Sequence, residues 1–255
     1  FDEGHTNIRK VRFPKTTKYT YDIDNNLIRR QTFTREEYRL FTTALSKSYV
    51  AKYNNLSEAE MFDRQLARHY FLFAANSGMR SGEIRKLRYE NIDVETIGGG
   101  NTEEIKVARV SVPKETSKVR KSRIFYCVGA HFIERWGKEW AKSKEGLVFS
   151  RDGSTELHNS FFFKHFRRVM AISKIEKKRQ KELVPYSLRH FCITHRVMAG
   201  CRFEDVALMT GTSTKQIEAT YFHLNEQMMK RTALARYEVK NDIAIPIVNV
   251  LDETL

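Results

Sequence analysis

Residues 184–198 read VPYSLRHFCITHRVM. Leu188, Phe191, Cys192, His195 and Met198 recur at i, i+3, i+4, i+7 and i+10, the spacing of one helix face. Ser187 stands at the expected N-cap, behind Pro185 and Tyr186. Arg189 therefore falls in the first turn, where the helix macrodipole disfavours a cation. An anion held jointly by the helix N-terminus and the guanidinium would explain it. A solvated surface arginine is the commoner reason for any single arginine, so the rest of the chain must decide.

The chain has 255 residues, enough for one large or two small domains. Its hydrophobic content of 41% supports a real core and excludes global disorder. The formal charge is +14 and the pI about 9.7. Lysines and arginines recur at 114–123, 164–168 and 174–181, interleaved with aromatics. That distribution suits a folded basic surface rather than a charged arm, and its simplest partner is a nucleic acid. Charge alone is equally consistent with a merely basic soluble protein. No apolar run reaches membrane-spanning length, and no stretch reads as a signal peptide, so none is expected here. The three cysteines are odd in number and lack metal-ligand spacing, which fits a reducing compartment. The first residue is Phe1, so an upstream domain is expected to be missing.

Residues 1–33 are polar and read as a linker or strap. Thr34 and Glu37 form a capping-box pattern opening a helix to about Ser48. A second helix runs from about Ser57 to Asn76. Its end, HYFLFAAN, is apolar all round and so expected to be buried. Ser77-Gly78 stops it, and Ser81 is expected to cap a short helix carrying Ile84 and Leu87. Residues 105–113 and 121–128 read as β-rich runs around a basic loop, with a phase slip between Ile105/Val107 and Val110/Val112 that suggests a bulge. Helices follow near 129–142 and 158–172, with a short strand GLVFS between them. The region 187–237 reads as helical, broken at Gly200 and Gly211. The fold class is therefore mainly α with a small antiparallel β-sheet (α+β). The tail IAIPIVNVL, 243–251, is apolar and suits an extended segment, with Pro246 restricting it to an edge.

Four stretches carry candidate chemistry. SGMRSGEIRKL (77–87) puts Arg80 beside a second helix start. TSKVRKSRIF (116–125) is a lysine-rich loop in which Lys118 and Lys121 compete with Lys114, just before it, for any acid role. VPYSLRH holds Arg189. MTGTSTKQIEATYFHL (209–224) has a capping box at Ser213/Gln216 and a short helix ending near Tyr221. No histidine pair has metal-ligand spacing on any predicted helix, so neither metal nor cofactor is assigned.

In order, these four stretches resemble the boxes of the tyrosine recombinases, the phage-type integrases. SGMRSGE looks like the first arginine box, with Arg80 and the acidic Glu83. TSKVRKSR looks like the lysine hairpin, with Lys118. YSLRH looks like the second arginine box, with Arg189 and His190, and GTSTKQIEATYFHL like the nucleophile box, with Tyr221. The resemblance covers about residues 34–235 and implies the tyrosine recombinase catalytic-domain fold over 34–237, followed by a tail, 238–255, able to dock on a neighbouring protomer. Two positions depart from the pattern: Tyr186 stands where the family usually has His, and Thr212 where it has His or Trp. Both hydroxyls can donate a hydrogen bond, but neither carries a proton near neutral pH as histidine does.

The resemblance implies a site-specific recombinase or integrase that cuts and rejoins DNA through a 3′-phosphotyrosyl intermediate. Arg80, Lys118, Arg189, Tyr221, Tyr186, Thr212 and His190 would form the catalytic set. Arg80, Lys118, Arg189, Lys121 and Arg123 would contact DNA, and Glu83 would support the site structurally. The implied partners are double-stranded DNA attachment sites, a homo-oligomer (tetramer) on DNA and accessory DNA-bending proteins. The implied setting is the cytoplasm of a bacterial or phage-infected cell, at the nucleoid. The alternatives are a non-catalytic DNA-binding relative, a type IB topoisomerase-like enzyme and, from another class, a basic RNA-binding or scaffolding domain. The last lacks an aromatic RNA-reading motif.

Overall fold

The computed structural model describes residues 32–51, 55–98, 104–117, 120–221, 236–240 and 243–247. Helix α1 spans Arg35–Thr43. Its start is the expected reciprocal cap: Thr34 Oγ1 accepts from Glu37 N at 3.1 Å, and Glu37 Oε2 accepts from Thr34 N at 2.8 Å. The helical path continues to Tyr49 as one π-helical segment, Ala44–Tyr49. That wider turn delivers Tyr49 into the core, where its hydroxyl lies 2.7 Å from His165 Nδ1.

Helix α2, Glu58–Ser77, is the spine of the domain. Ser57 caps it and Gly78 ends it in the left-handed conformation, φ 62°. Every residue from His69 to Ala75 is buried, as the all-round apolar stretch predicts. Around it, Phe33, Phe41, Phe71, Phe162 and Phe166 form one aromatic cluster, and Tyr70 stacks on Phe162 at 3.8 Å. Each such ring contributes roughly 1.5–3 kcal/mol through burial.

Helix α3 is Ser81–Arg85. The sheet has three antiparallel strands in the order β1 (Ile92–Ile97), β2 (Ile105–Val112), β3 (Arg123–Val128). The expected bulge is absent, since both pairings run without a break from Ile92↔Val110 to Ile97↔Ile105 and from Val107↔Val128 to Val112↔Arg123. The phase slip has another cause. Ala108, Val110 and Val112 face the core, whereas Ile105 extends beyond it and is exposed. Strand β1 was not anticipated, because only Ile92, Val94 and Ile97 break its polar run and it lies almost wholly in solvent.

Helices α4 (Ala130–Glu139) and α5 (Asn159–Ile172) match expectation. GLVFS does not form a strand. Among the described residues it makes one isolated bridge, Arg88↔Leu147, and is held by Trp136 Nε1 donating to Val148 O at 2.7 Å. Helix α6 (Lys177–Glu182) was not anticipated, being too polar to show a face. Helices α7 (Ser187–Met198), α8 (Phe203–Thr210) and α9 (Thr214–Tyr221) follow, with breaks at Gly200 and Gly211 as expected. Ile193, Val197, Val206, Ala207 and Ile217 give these three helices an apolar cluster of their own. The helical reading fails at its far end: Arg236–Lys240 is a strand, β4, paired antiparallel with β5 (Ile243–Ile247). The part of the tail among the described residues, Ile243–Ile247, is extended as read, and Pro246 lies in a two-stranded ribbon, where neither strand is flanked on both sides. Of the expected strap, residues 1–33, residues 1–31 lie outside the described residues, and Phe33 is buried in the core of the domain.

Candidate active site

Arg189 does not reach into solvent. It is 4% exposed, and its Nη1 donates to Gly78 O at 2.6 Å and to Thr210 O at 2.7 Å. Gly78 is the C-cap of α2, and Thr210 is the last residue of α8. Those carbonyls are orphan acceptors at the negative ends of two helices. The cation that looks misplaced at the start of its own helix is thus set at the ends of two others. Burial, the largest influence, pulls its pKa down from the ordinary arginine value; Tyr186 opposes this and Arg80 reinforces it. The Tyr186 ring lies 6.0 Å from the Arg189 guanidinium carbon.

Local chain geometry fixes this placement. The N-cap of α7 is Tyr186, not Ser187. Ser187 is the first helical residue, and its hydroxyl accepts from Val184 N at 3.1 Å, closing the turn before the helix. The same one-residue correction applies at α3, where Arg80 is the N-cap and Ser81 the first helical residue. Glu83 takes the capping role there: its Oε2 accepts from the Arg80 backbone N–H at 3.1 Å.

Glu83 is 2% exposed and joins two arginines. Its Oε1 accepts from Arg80 Nη1 at 3.2 Å and from Arg123 Nη1 at 3.2 Å, and its Oε2 accepts from Arg123 Nη2 at 2.7 Å. Burial would raise its pKa, but the bonds and charge of Arg123, with those of Arg80, outweigh it and hold the carboxyl below its usual range. Arg123, read from the sequence as a DNA contact, is instead buried, and its Nε donates to Met209 O at 3.3 Å. The signal for this was present in the sequence. Arg123 shares strand parity with Phe125 and Cys127, and all three face inward.

The stretch SGMRSGE, strand β3, the start of α7 and the end of α8 therefore meet through Glu83, Arg123, Arg189 and the carbonyls of Gly78, Met209 and Thr210. Sequence reasoning missed those carbonyls, because backbone acceptors leave no residue-type signature. Both α2 and α8 end on a left-handed glycine, Gly78 and Gly211, and this does mark where such carbonyls lie.

The other expected residues are distributed as follows. His190 is half-buried, its ring centroid 5.1 Å from that of Tyr186. Thr212 is half-buried just past α8, with its N–H on Ala207 O at 3.1 Å. Lys121 is exposed in the β2–β3 loop. Lys118 lies outside the described residues; its neighbour Ser117 is buried, and Arg120 adopts φ 51°. Lys114 sits 4.0 Å from Glu115. Ser213 caps α9 by accepting from Gln216 N at 3.2 Å, and buried Ile217 anchors that helix. Tyr221 is its last residue, with its side chain outside the described residues. Among the described residues, no group of three or more His, Cys, Asp or Glu could hold a metal ion, and no helix is long and apolar enough to cross a membrane.

Helices around a three-stranded antiparallel sheet, with two arginine boxes converging on the ends of α2 and α8, define an integrase-type catalytic domain. The chain belongs to the phage integrase family, whose model matches residues 32–228. Among solved structures it is similar to XerH site-specific recombinase bound to palindromic difH substrate, at 20% identity and a TM-score of 0.58, over 80% of this chain and 53% of that one. It is also similar to XerA recombinase, at 13% identity and a TM-score of 0.53, over 80% of this chain and 62% of that one. The Tn1549 transposon integrase in complex with transposon right end DNA matches at 14% identity and a TM-score of 0.53, over 82% of this chain and 67% of that one. These likenesses show the fold. The chain spans about half the length of the XerH chain, 53%. No curated protein matches the sequence.

Proposed function

We propose that this chain is the catalytic part of a site-specific DNA recombinase that breaks and rejoins strands through a 3′-phosphotyrosyl bond. The observation that carries this reading is the setting of Arg189. Nη1 is fixed by two helix-end carbonyls, so the guanidinium is locked while Nη2 and Nε make no bond to a described residue. A planar fork held in that way is suited to a phosphodiester, and each charge-assisted bond would contribute about 1.5–3 kcal/mol.

In this reading the Tyr221 hydroxyl gives up its proton to solvent and its oxygen attacks phosphorus, forming the phosphotyrosyl bond as the bond to the 5′-oxygen breaks. Arg80 and Arg189 balance charge on the non-bridging oxygens as it develops. Lys118 delivers the proton to the leaving oxygen. Tyr186 and Thr212 supply hydroxyl donors where the family usually has imidazole or indole, and His190 orients the phosphate pocket. The phosphotyrosyl bond conserves the energy of the broken linkage, so a different 5′-hydroxyl can reverse the step. Lys121 and the overall charge of +14 add affinity for the duplex backbone. The partners in this reading are duplex attachment sites, further copies of the chain as a tetramer, and DNA-bending accessory proteins, in the cytoplasm at the nucleoid. The β4–β5 ribbon would link protomers.

The test is incubation with nicked suicide DNA carrying the attachment site, followed by denaturing electrophoresis. A covalent adduct is expected with the native chain and is lost in Tyr221→Phe, with DNA binding retained. Adduct formation by the Phe variant at the native rate removes Tyr221 from its role.

A further inference from the structure

Arg123 is placed for a task that DNA contact does not describe. A DNA-contacting arginine needs free donors facing the groove or backbone. Here Nε, Nη1 and Nη2 each donate to a protein acceptor, and the side chain is 5% exposed. Its partners lie in different boxes. Glu83, which it holds by both oxygens, is the residue that also holds the backbone and guanidinium of Arg80. Met209, whose carbonyl it grips, precedes Thr210, whose carbonyl holds Arg189. Gly211, the left-handed joint between α8 and α9, packs directly on its guanidinium: a Cβ there would stand 2.5 Å from Nη1 and 2.6 Å from Cζ. Arg123 itself opens β3, the strand that leaves the lysine hairpin.

We propose that Arg123 is a positioning residue that makes the hairpin strand, the first arginine box and the α8–α9 joint one rigid unit. This role rests on the recombinase reading above. Through Glu83 it fixes where the Arg80 guanidinium stands. Through Met209 and Gly211 it fixes the start of the short helix that ends at Tyr221. Displacement of β3 when the hairpin meets DNA would then be felt at both the phosphate clamp and the nucleophile helix. Lysine could not substitute, because one ammonium cannot span both Glu83 oxygens and the Met209 carbonyl as a planar fork does.

The test compares native protein with Arg123→Lys in three measurements: urea unfolding, DNA affinity against salt, and single-turnover adduct formation on suicide DNA at saturating protein. The expected result is a fall in saturating adduct formation of roughly tenfold or more, with the salt slope unchanged. Glu83→Gln should slow the step similarly, and the double variant should be little slower than either single one, since the two act through the same unit. The salt slope decides against DNA binding only where the cation is removed: in Arg123→Met with Glu83→Met, a slope shallower by about 0.9 would mean one lost phosphate contact and would overturn the proposal in favour of DNA binding. Lower stability with native adduct formation in the folded protein would reduce Arg123 to a structural role and also overturn it. Should Arg123→Lys fail to fold, Arg123→Met with Glu83→Met removes the buried pair without leaving an unpaired charge. That folded variant must still bind DNA and cleave slowly, and native cleavage by it would sink the proposal. If the native chain forms no adduct, the recombinase reading falls and this role with it.

Discussion

Gly78→Ala should be costly to both stability and cleavage, for separable reasons. Gly78 ends α2 at φ 62°, and an L-residue there costs roughly 1–2 kcal/mol. The added Cβ would lie 2.9 Å from Cys192 Sγ and 3.1 Å from Thr210 Cγ2. Neither neighbour gives easily. Cys192 is 1% exposed and its sulfur accepts from Arg196 Nη1 at 2.8 Å, while Thr210 is fully buried with its hydroxyl on Val206 O at 2.7 Å. Overpacking of this kind costs about 1–3 kcal/mol. The expected total is about 2–5 kcal/mol, read as a lower urea midpoint at unchanged m-value. Cleavage should fall as well, because the Gly78 carbonyl holds Arg189. Loss of one charge-assisted bond of about 1.5–3 kcal/mol corresponds to roughly 10- to 150-fold in single-turnover rate. Removing the sulfur separates the two terms: Cys192→Ala in the Gly78→Ala background should relieve the steric part and leave the backbone part. A Gly78→Ala protein within about 0.5 kcal/mol of native that cleaves normally would refute the reasoning. So would a double-variant cycle showing no coupling between Gly78 and Cys192.

Arg189→Lys keeps the charge but cannot hold two helix-end carbonyls and still present a fork, so single-turnover cleavage should fall by roughly a hundredfold or more while DNA affinity in a gel-shift assay changes little. Lys118→Ala should be slow on ordinary DNA and rescued on 5′-bridging phosphorothioate DNA, whose sulfur leaves without a proton; rescue of Lys114→Ala instead would move the acid role to Lys114. His165 is 1% exposed and burial, its largest influence, lowers its pKa to about 4. Glu60 and Asp63 act to raise it, and Arg168 and Lys164 to lower it. The folded ring therefore stays neutral where the unfolded ring takes a proton, so stability should be full above about pH 6.5 and decline as pH falls toward about 4. His69, also lowered to about 4 by burial, acts in the same window. Urea midpoints between pH 7 and pH 4.5 should drop less steeply in His165→Gln, and an unchanged drop would exclude the histidine.

Legibility in the sequence followed the range of the forces involved. Helices with a cap and a face were readable: Thr34–Glu37 opened α1, Ser57 opened α2, and Gly78, Gly200 and Gly211 ended segments where expected. Elements without a face were not. Strand β1 is almost wholly solvated and helix α6 is polar throughout with no fully buried residue, so no hydrophobic period marks them, and β4 follows a helix-like run of sequence closely enough to be taken as its continuation. At the site, the separate boxes could be read as sequence, but their joining could not. Arg189 and Gly78 stand 111 residues apart, Arg123 and Met209 86. The face read for α7 was only partly right for the same reason. Packed between α2 and α8, it buries Arg189, Ile193, Thr194 and Val197 as well as Leu188 and Cys192, leaving Phe191, His195 and Met198 half-covered.

The charge distribution at the site gives the opening arginine its meaning. Arg80, Arg123 and Arg189 surround one buried carboxylate, Glu83, and that carboxylate is occupied by the first two. Arg189 has no acidic partner at hydrogen-bond distance among the described residues and is held by carbonyl dipoles alone. Carbonyl dipoles can fix a buried cation's direction, but they only partly replace its hydration. Repulsion from Arg80 and Arg123 adds to that cost, as the downward pull on its pKa records. Ionised Glu83 therefore offsets only part of the site's positive charge. An arriving phosphodiester would supply the charge the site lacks, at a place where the donors are already oriented and need little further ordering. Putting a carboxylate beside Arg189 would make the empty site easier to fold and would compete with the phosphate. On the proposed recombinase reading, a protein that releases one DNA strand and accepts another has reason to leave that charge to its substrate.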